Sequence, residues 1–194
     1  MAQNSNSPVP QTQPQSGRVW LIAMAVGALW VAYMMLFGPN GRFSLRAGPA
    51  LTASGNHGRA DAPWFLCNLE SKTVDFQQFR GRPIFLNLWA TWCPPCVAEM
   101  PSINRLAGNL RVKDVVFLCV SVEEDRDVVR RFAQENQLSV PVYYSIMQPP
   151  PVFQTDGIPA TFIIDRDGKV VAKEVGSANW DSENVIAILE KLAK

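Results

Sequence analysis

The sequence contains little histidine and little net charge, and each shortage excludes a class of function. His57 is the only histidine among 194 residues, so a metal centre built on several histidines is impossible. The 18 basic side chains nearly balance the 17 acidic ones, which leaves no basic surface of the kind that binds nucleic acid. Charged residues make up 18% of the chain and hydrophobic residues 47%, a composition too apolar for a disordered protein. We therefore expect a globular protein that binds no nucleic acid.

Cysteine is scarce as well, with four residues in the whole chain: Cys67, Cys93, Cys96 and Cys119. Four cysteines are too few for a small fold that disulfides hold together. They are enough for one redox pair or for part of a metal site. The chemistry therefore depends on how these four cysteines are spaced.

The first 62 residues divide into three segments of different composition. Residues 1–18 are rich in Gln, Asn, Ser and Pro, which predicts a disordered tail. Residues 19–37 carry no charge, and a helix of that length spans ~28 Å, close to the ~30 Å hydrocarbon core of a bilayer. Residues 38–62 contain five glycines and two prolines, which predicts a flexible linker with His57 as a solvated loop residue.

We interpret residues 19–37 as an uncleaved transmembrane signal-anchor helix that crosses a lipid bilayer once. A buried core helix is one alternative, but the segment has no polar stripe to face solvent. A cleaved signal peptide is another. The segment is longer than the usual apolar region of ~7–15 residues in such peptides, and no A-x-A cleavage pattern follows closely.

Residues 63–194 form one predicted domain in which strands and helices alternate. Apolar runs, helical periodicity and turn residues define these elements. The expected strands are 64–69, 73–76, 84–90, 115–122, 140–144, 161–164 and 169–175, and the expected helices are 95–110, 127–137 and a last one capped by Asp181 or Ser182. This order predicts an α/β or α+β fold around a mixed sheet.

The most informative motif is the pair Cys93 and Cys96, at the point where a buried strand leads into a helix. Unpaired N–H groups and the positive end of the helix dipole favour a thiolate at Cys93. Cys96, one turn further on, is placed to resolve a mixed disulfide. The alternative is half of a zinc site, but a second cysteine pair with matching spacing is missing.

Glu99 and Pro159 each have two interpretations from the residues alone. Glu99 lies three positions after Cys96, on the same helix face, so it either accepts a proton from Cys96 or is an ordinary solvated residue near the start of a helix. Pro159 follows Ile158 at the entry to a strand, where a cis peptide bond occurs in tight turns. A trans bond is the commoner case.

Four sequence segments together resemble the membrane-anchored TlpA/ResA-like branch of the thioredoxin superfamily. They are FLNLWATWCPPC at 85–96, EMPS at 99–102, GIPATF at 157–162 and DRDG at 165–168. The resemblance implies a thioredoxin-like fold, with a central mixed β-sheet flanked by helices and an N-terminal β-hairpin, and no cofactor or metal. It also implies that Cys93 is the exposed nucleophile, Cys96 the buried resolving thiol, and Glu99 the acidic residue near them.

The resemblance further implies a function and a location. Relatives of this branch are tethered outside the bacterial cytoplasmic membrane, on the periplasmic side. They mostly reduce disulfides of proteins in cytochrome c maturation, oxidase assembly or thiol repair, and a membrane thiol transporter supplies the electrons. We expect a monomer in which a cis Pro159 lies beside the redox disulfide. The residues expected to contact the substrate are Trp92, Pro94, Pro95, Ile158 and Pro159.

Three features depart from the family pattern. Residues 148–153 (QPPPVF) replace a short helix, and Asn87 stands where thioredoxin has a buried Asp. Cys67 and Cys119 are additional, and their apolar strand contexts favour buried free thiols over a second disulfide.

A copper metallochaperone on the same fold is the alternative function. Such a protein would bind Cu(I) through Cys93, Cys96 and either Met100 or Met147, because soft sulfur ligands select that ion. The position of His57 in the predicted linker argues against this function, since the folded domain then has no histidine.

Overall fold

The computed structural model describes Pro49 and residues 57–194. The predicted tail at 1–18, the predicted membrane helix at 19–37 and most of the predicted linker lie outside these residues. Within the described part of the chain, no helix combines the length and the apolar character that crossing a membrane requires.

Among the described residues, seven strands form a single mixed sheet: β1 Phe65–Asn68, β2 Thr73–Asp75, β3 Ile84–Trp89, β4 Val116–Ser121, β5 Val142–Ser145, β6 Ala160–Ile164 and β7 Val170–Val175. Their order in the sheet is β2-β1-β5-β4-β3-β6-β7. Strands β3, β4 and β5 are parallel to one another, and every other pairing is antiparallel. The predicted N-terminal hairpin is confirmed as β1 and β2, and the predicted mixed sheet is confirmed as well.

Residues 57–194 contain three α-helices, which follow β3, β4 and β7 respectively: α1 Pro94–Ala107, α2 Arg126–Glu135 and α3 Glu183–Ala193. Helix α1 begins directly after Cys93, which is its N-cap, and it contains Pro101 in its interior. Asp125 caps α2 by accepting hydrogen bonds from the backbone N–H groups of Asp127 and Val128. All three helices contribute buried side chains to the core on one face of the sheet.

The second core lies on the other face and is rich in aromatic side chains. Trp64, Phe76 and Phe153 pack there in ring contacts with centroid distances of 5.3 to 5.7 Å. None of the described α-helices contributes to this core; 3₁₀ turns at Phe76–Phe79 and Pro151–Phe153 cover it instead. Consecutive prolines before Val152 disfavour an α-helix, because each lacks an N–H and restricts the residue before it.

The packed chain begins before residue 63, where the composition had placed the domain boundary. The N–H of Ala60 donates to the carbonyl of Gly168 at 2.8 Å, and the N–H of Val170 donates to the carbonyl of Gly58 at 2.9 Å. The backbone of Arg59 also forms an isolated antiparallel β-bridge with that of Lys169, directly before β7. The predicted linker therefore does not extend through residue 62. Backbone pairing of this kind uses no side chain, so composition gives no sign of it.

Cys67 and Cys119 are both buried free thiols, as the strand contexts had favoured. Cys67 is in β1 and Cys119 is in β4, and β5 lies between these two strands. Neighbouring strands are ~4.8 Å apart, so β1 and β4 are separated by roughly twice that distance. A disulfide requires Cα atoms within ~7 Å. The intervening strand therefore prevents a second disulfide.

This separation predicts the thiol count of the oxidised protein. After denaturation without reductant, alkylation should add two groups per chain, one at Cys67 and one at Cys119, and prior reduction should raise the count to four. Mass spectrometry of the intact protein measures both numbers. A peptide that links residues 67 and 119 under non-reducing conditions would contradict the strand order.

Candidate active site

The redox pair lies where β3 ends and α1 begins. A disulfide joins Cys93 and Cys96, with the two sulfurs 2.11 Å apart and the Cα atoms 5.3 Å apart. The Cys93 sulfur accepts a hydrogen bond from the Cys96 N–H at 3.3 Å. Pro94 and Pro95 occupy the first two helical positions and have no N–H to offer, so few backbone donors face this sulfur.

Cys93 is the more accessible of the two cysteines, but it is not an exposed residue. Solvent reaches 4% of the Cys93 surface, whereas Cys96 is fully buried. The Cys93 sulfur lies 3.8 Å from the carbonyl oxygen of Ile158, which covers it from one side. The expectation of an exposed nucleophile therefore holds only relative to Cys96, because the loop before β6 packs against the disulfide.

The residues expected to contact substrate surround this disulfide. Trp92 is 65% exposed, and Pro94 and Pro95 are also exposed, whereas Ile158 is half-buried. The Ile158–Pro159 peptide bond is cis, as the family resemblance implied. Pro159 itself is buried, so its ring supports the loop more than it presents a surface.

Glu123 holds the turn that leads into the redox pair, a role that the sequence analysis missed. Its carboxylate accepts hydrogen bonds from the Thr91 N–H at 2.8 Å and from the Thr91 hydroxyl at 2.7 Å. Ser121 donates to the same carboxylate at 3.2 Å. Because β3 and β4 are parallel neighbours, their carboxyl ends lie side by side, and Glu123 after β4 reaches Thr91 after β3.

Glu99 is fully buried beneath the disulfide, which excludes the interpretation as a solvated helix residue. One carboxylate oxygen accepts from the Asn87 side-chain amide at 2.8 Å. The other accepts from the Trp180 indole at 2.8 Å and from the Ala178 N–H at 3.1 Å. The carboxylate thus joins α1 to β3 and to the segment before α3.

Burial raises the pKa of Glu99 to about 7, and the hydrogen bonds from Trp180, Ala178 and Asn87 oppose that rise. Near neutral pH the side chain therefore exchanges readily between its charged and neutral forms. Burial, together with the Glu99 carboxylate, also raises the pKa of the Cys119 thiol. Cys119 consequently remains a neutral thiol and is no competitor to Cys93 as a nucleophile.

Trp180 and Thr161 complete the polar network around Glu99. The Asn87 amide also donates to the Thr161 hydroxyl at 2.9 Å, across the β3–β6 pairing. The Trp180 backbone N–H donates to the Ser102 hydroxyl at 3.1 Å, which fixes the indole against α1. A single sequence carries no signal for Trp180, because it is an isolated aromatic residue in a polar loop.

Among the described residues, no group of three or more His, Cys, Asp or Glu side chains is placed to hold a metal ion. The zinc alternative therefore finds no further ligands in this part of the chain. Met100 is buried in the core beside Cys96, whereas Met147 is 45% exposed.

The raised pKa of Glu99 predicts a pH dependence of stability. A carboxyl group with a pKa near 4.5 when unfolded and about 7 when folded binds more protons in the folded state between these values. The free energy of unfolding of the oxidised protein should therefore fall as the pH rises from 4.5 to about 7, by on the order of 3 kcal/mol. Denaturant titrations at several pH values measure it, with Glu99→Gln as the reference that lacks the titrating group.

The pH dependence of the free energy of unfolding should also be measured for Trp180→Phe. The substitution removes a donor that favours the charged carboxylate, so the pH midpoint of the stability loss should move upward. This midpoint is independent of any uniform destabilisation by the smaller ring. A difference between wild type and Glu99→Gln that stays constant from pH 4 to 8 would rule out the titration of Glu99.

Comparisons with known proteins agree with this site. The Redoxin family model matches residues 46–189. The thiol-disulfide oxidoreductase ResA of Bacillus thuringiensis subsp. konkukian is 35% identical over 120 residues, which cover 60% of this chain and 68% of that protein. ResA of Geobacillus thermodenitrificans is 35% identical over 135 residues, which cover 68% of this chain and 75% of that protein.

Solved structures support the fold. StoA of Bacillus subtilis superposes with a TM-score of 0.55 at 19% identity, covering 71% of this chain and 100% of its own. A Chlorobium tepidum protein assigned to the DsbE thiol:disulfide interchange proteins gives a TM-score of 0.63 at 22% identity, covering 73% and 99% respectively. The family match, the ResA relatives and the Cys93–Cys96 pair establish that the chain belongs to the Redoxin family, as a ResA/TlpA-like thiol-disulfide oxidoreductase of the thioredoxin superfamily.

Proposed function

We propose that the protein is anchored in the bacterial cytoplasmic membrane through residues 19–37 and reduces disulfides of proteins on the periplasmic side. The observation that carries the exchange step is the asymmetry of the redox pair: 4% of Cys93 is exposed, beside the exposed Trp92, whereas Cys96 is fully buried. The uncharged run at 19–37 supports the anchor. Protein disulfides form and persist outside the cytoplasm, which supports the location.

Reduction proceeds through two thiol–disulfide exchanges. The Cys93 thiolate attacks one sulfur of the substrate disulfide, and the other substrate sulfur leaves as a thiolate. A mixed disulfide then joins Cys93 to the substrate. The Cys96 thiolate attacks the Cys93 sulfur, the second substrate thiolate leaves, and the Cys93–Cys96 disulfide forms. Two electrons have passed from the protein to the substrate, and no cofactor takes part.

Glu99 assists the second exchange by accepting the proton of Cys96. Cys96 has to lose this proton before it attacks, and water does not reach a fully buried thiol. Glu99 lies one helical turn further along α1, and its pKa of about 7 lets it accept and release a proton near neutral pH. Asn87 replaces the buried aspartate of thioredoxin and holds the Glu99 carboxylate instead.

A membrane thiol transporter regenerates the dithiol by the reverse chemistry. One of its cysteines attacks the Cys93–Cys96 disulfide, and its second cysteine resolves the mixed disulfide, so that two electrons enter the protein. The substrates are proteins that carry disulfides, in cytochrome c maturation, oxidase assembly or thiol repair. The protein acts as a monomer in this cycle.

The resolving role of Cys96 predicts that Cys96→Ala traps the substrate. Without the second thiol, the mixed disulfide on Cys93 persists and should be visible as a higher band on non-reducing gels of cells that express the variant. The double variant Cys93→Ala/Cys96→Ala should trap nothing, and Cys67→Ala should behave like wild type. A reactive Cys93 that captures no protein would argue against a protein-disulfide substrate.

The anchor predicts membrane association of the full-length chain. It should remain in the membrane fraction after a carbonate wash, and Cys93 should react with a membrane-impermeant thiol reagent after the outer membrane is opened. Ala28→Arg places a charge at the centre of the segment, which costs roughly 3 kcal/mol of insertion free energy, and should reduce the membrane-bound fraction. Equal membrane binding by Ala28→Arg and wild type would contradict the anchor at 19–37.

A further inference from the structure

A groove of about 1110 Å³ opens beside the active site and crosses the carboxyl ends of β3, β4 and β5. Trp92 and Ile158 line it next to the redox disulfide. Ile146 and Met147, which directly follow β5, line it as well. The groove is therefore continuous with the surface at which a substrate disulfide meets Cys93.

Exposed apolar side chains are concentrated in this groove. Trp92 is 65% exposed, Met147 45%, Ile146 44% and Val122 43%, and all four line the groove. Large apolar side chains rarely cluster on a surface unless another molecule covers them. An occupant that buries these four side chains would gain on the order of 25 cal/mol for each Å² of apolar surface removed from water.

The charges in the groove favour a basic occupant. Three acidic residues line it, Glu123, Glu124 and Asp156, against two basic ones, Arg126 and Lys173, so the acidic charge is in excess. The Arg126 guanidinium lies 4.6 Å from the Tyr144 ring centroid, and Lys173 donates to the carbonyl of Gln154 at 3.0 Å. Glu124 and Asp156 are exposed, and within the described part of the chain neither forms an ion pair. A positive side chain in the occupant would meet these two carboxylates.

The residues that follow β5 form one wall of the groove, and they present side chains to an occupant more than backbone hydrogen-bond donors. Residues 149–151 are three consecutive prolines, of which Pro149 lines the groove, and none of them has an N–H. An incoming peptide cannot pair with residues 149–151 as an added strand, because these prolines donate no ladder hydrogen bonds. The chemistry of the occupant's side chains therefore decides its affinity.

We propose that this groove binds an extended segment of the substrate protein next to its disulfide, and that it selects a segment with a large apolar side chain and a basic residue. The proposal rests on the proposed function and names its substrate class. Trp92, Val122, Ile146 and Met147 receive the apolar side chain, and Glu124 and Asp156 receive the basic one. Binding in this position brings the substrate disulfide to the Cys93 sulfur.

The test uses four synthetic peptides, each a homodisulfide of a short chain with one cysteine. They carry either Phe or Gly on one side of the cysteine and either Lys or Glu on the other. The full-length protein is reduced, freed of reductant and mixed with each peptide, and the second-order rate constant for peptide reduction is measured. The Phe/Lys peptide should react at least about tenfold faster than the Gly/Glu peptide, as expected for burial of one large side chain.

Variants locate this selectivity in the groove. Met147→Asp and Ile146→Asp should each bring the ratio of the Phe and Gly rates close to one. Leu110→Asp is the matched control, because Leu110 is 84% exposed and lies outside the groove, and it should leave the ratio unchanged. The double variant Glu124→Lys/Asp156→Lys should reverse the preference between the Lys and Glu peptides.

The outcomes separate this proposal from the proposed function. Equal reduction of all four peptides by the wild type would overturn the groove proposal and leave the reductase function intact. Reduction of none of them would overturn both. A wild-type dimer that Met147→Asp converts to a monomer would also overturn the proposal, since the apolar surface would then be a contact between two copies of this chain.

Discussion

The geometry of the active site depends on the hydrogen bonds that the buried Glu99 carboxylate accepts. The backbone of Glu99 belongs to α1, and its hydrogen-bond donors come from β3 and from the segment before α3, through Asn87, Ala178 and Trp180. A buried carboxylate is stable only when donors surround it, because its desolvation costs several kcal/mol. The helix that carries the redox pair is therefore fixed against the sheet by a group that also titrates near neutral pH.

This arrangement separates the two tasks of thiol–disulfide exchange. In the proposed cycle, contact with other proteins takes place at the exposed Trp92, beside Cys93, of which 4% is exposed. The proposed proton transfer takes place beneath this surface, where Cys96 and Glu99 are fully buried on one helix face. The active-site turn between them is held from the neighbouring strand by Glu123. A rigid scaffold thus presents one sulfur while it protects the other.

Most of the secondary structure followed from local patterns, and the exceptions have physical reasons. The strand at 84–90 and the turn at 165–168 were recognisable because apolar runs and turn residues are local signals, and β3 and the β6–β7 hairpin confirm them. The pairing of residues 57–60 with residues 168–170 was missed because backbone hydrogen bonds between segments so far apart in the chain leave no local pattern in the sequence. Residues 148–153, which cover the second core, were recognised as a departure from the family pattern, but their 3₁₀ turn was not predicted.

The sequence by itself determined the redox pair, its place at the start of a helix and the family, because each is recognised from short segments of neighbouring residues. Only the tertiary structure decided what surrounds that pair. Glu99 meets Trp180 across 81 residues of chain, and Thr91 meets Glu123 across 32. The spacing of residues along one helix or strand carries no information about such contacts, since they form only when the strand order of the sheet brings distant segments together. The same strand order keeps Cys67 and Cys119 apart and leaves the pair at 93 and 96 as the redox disulfide of the described domain.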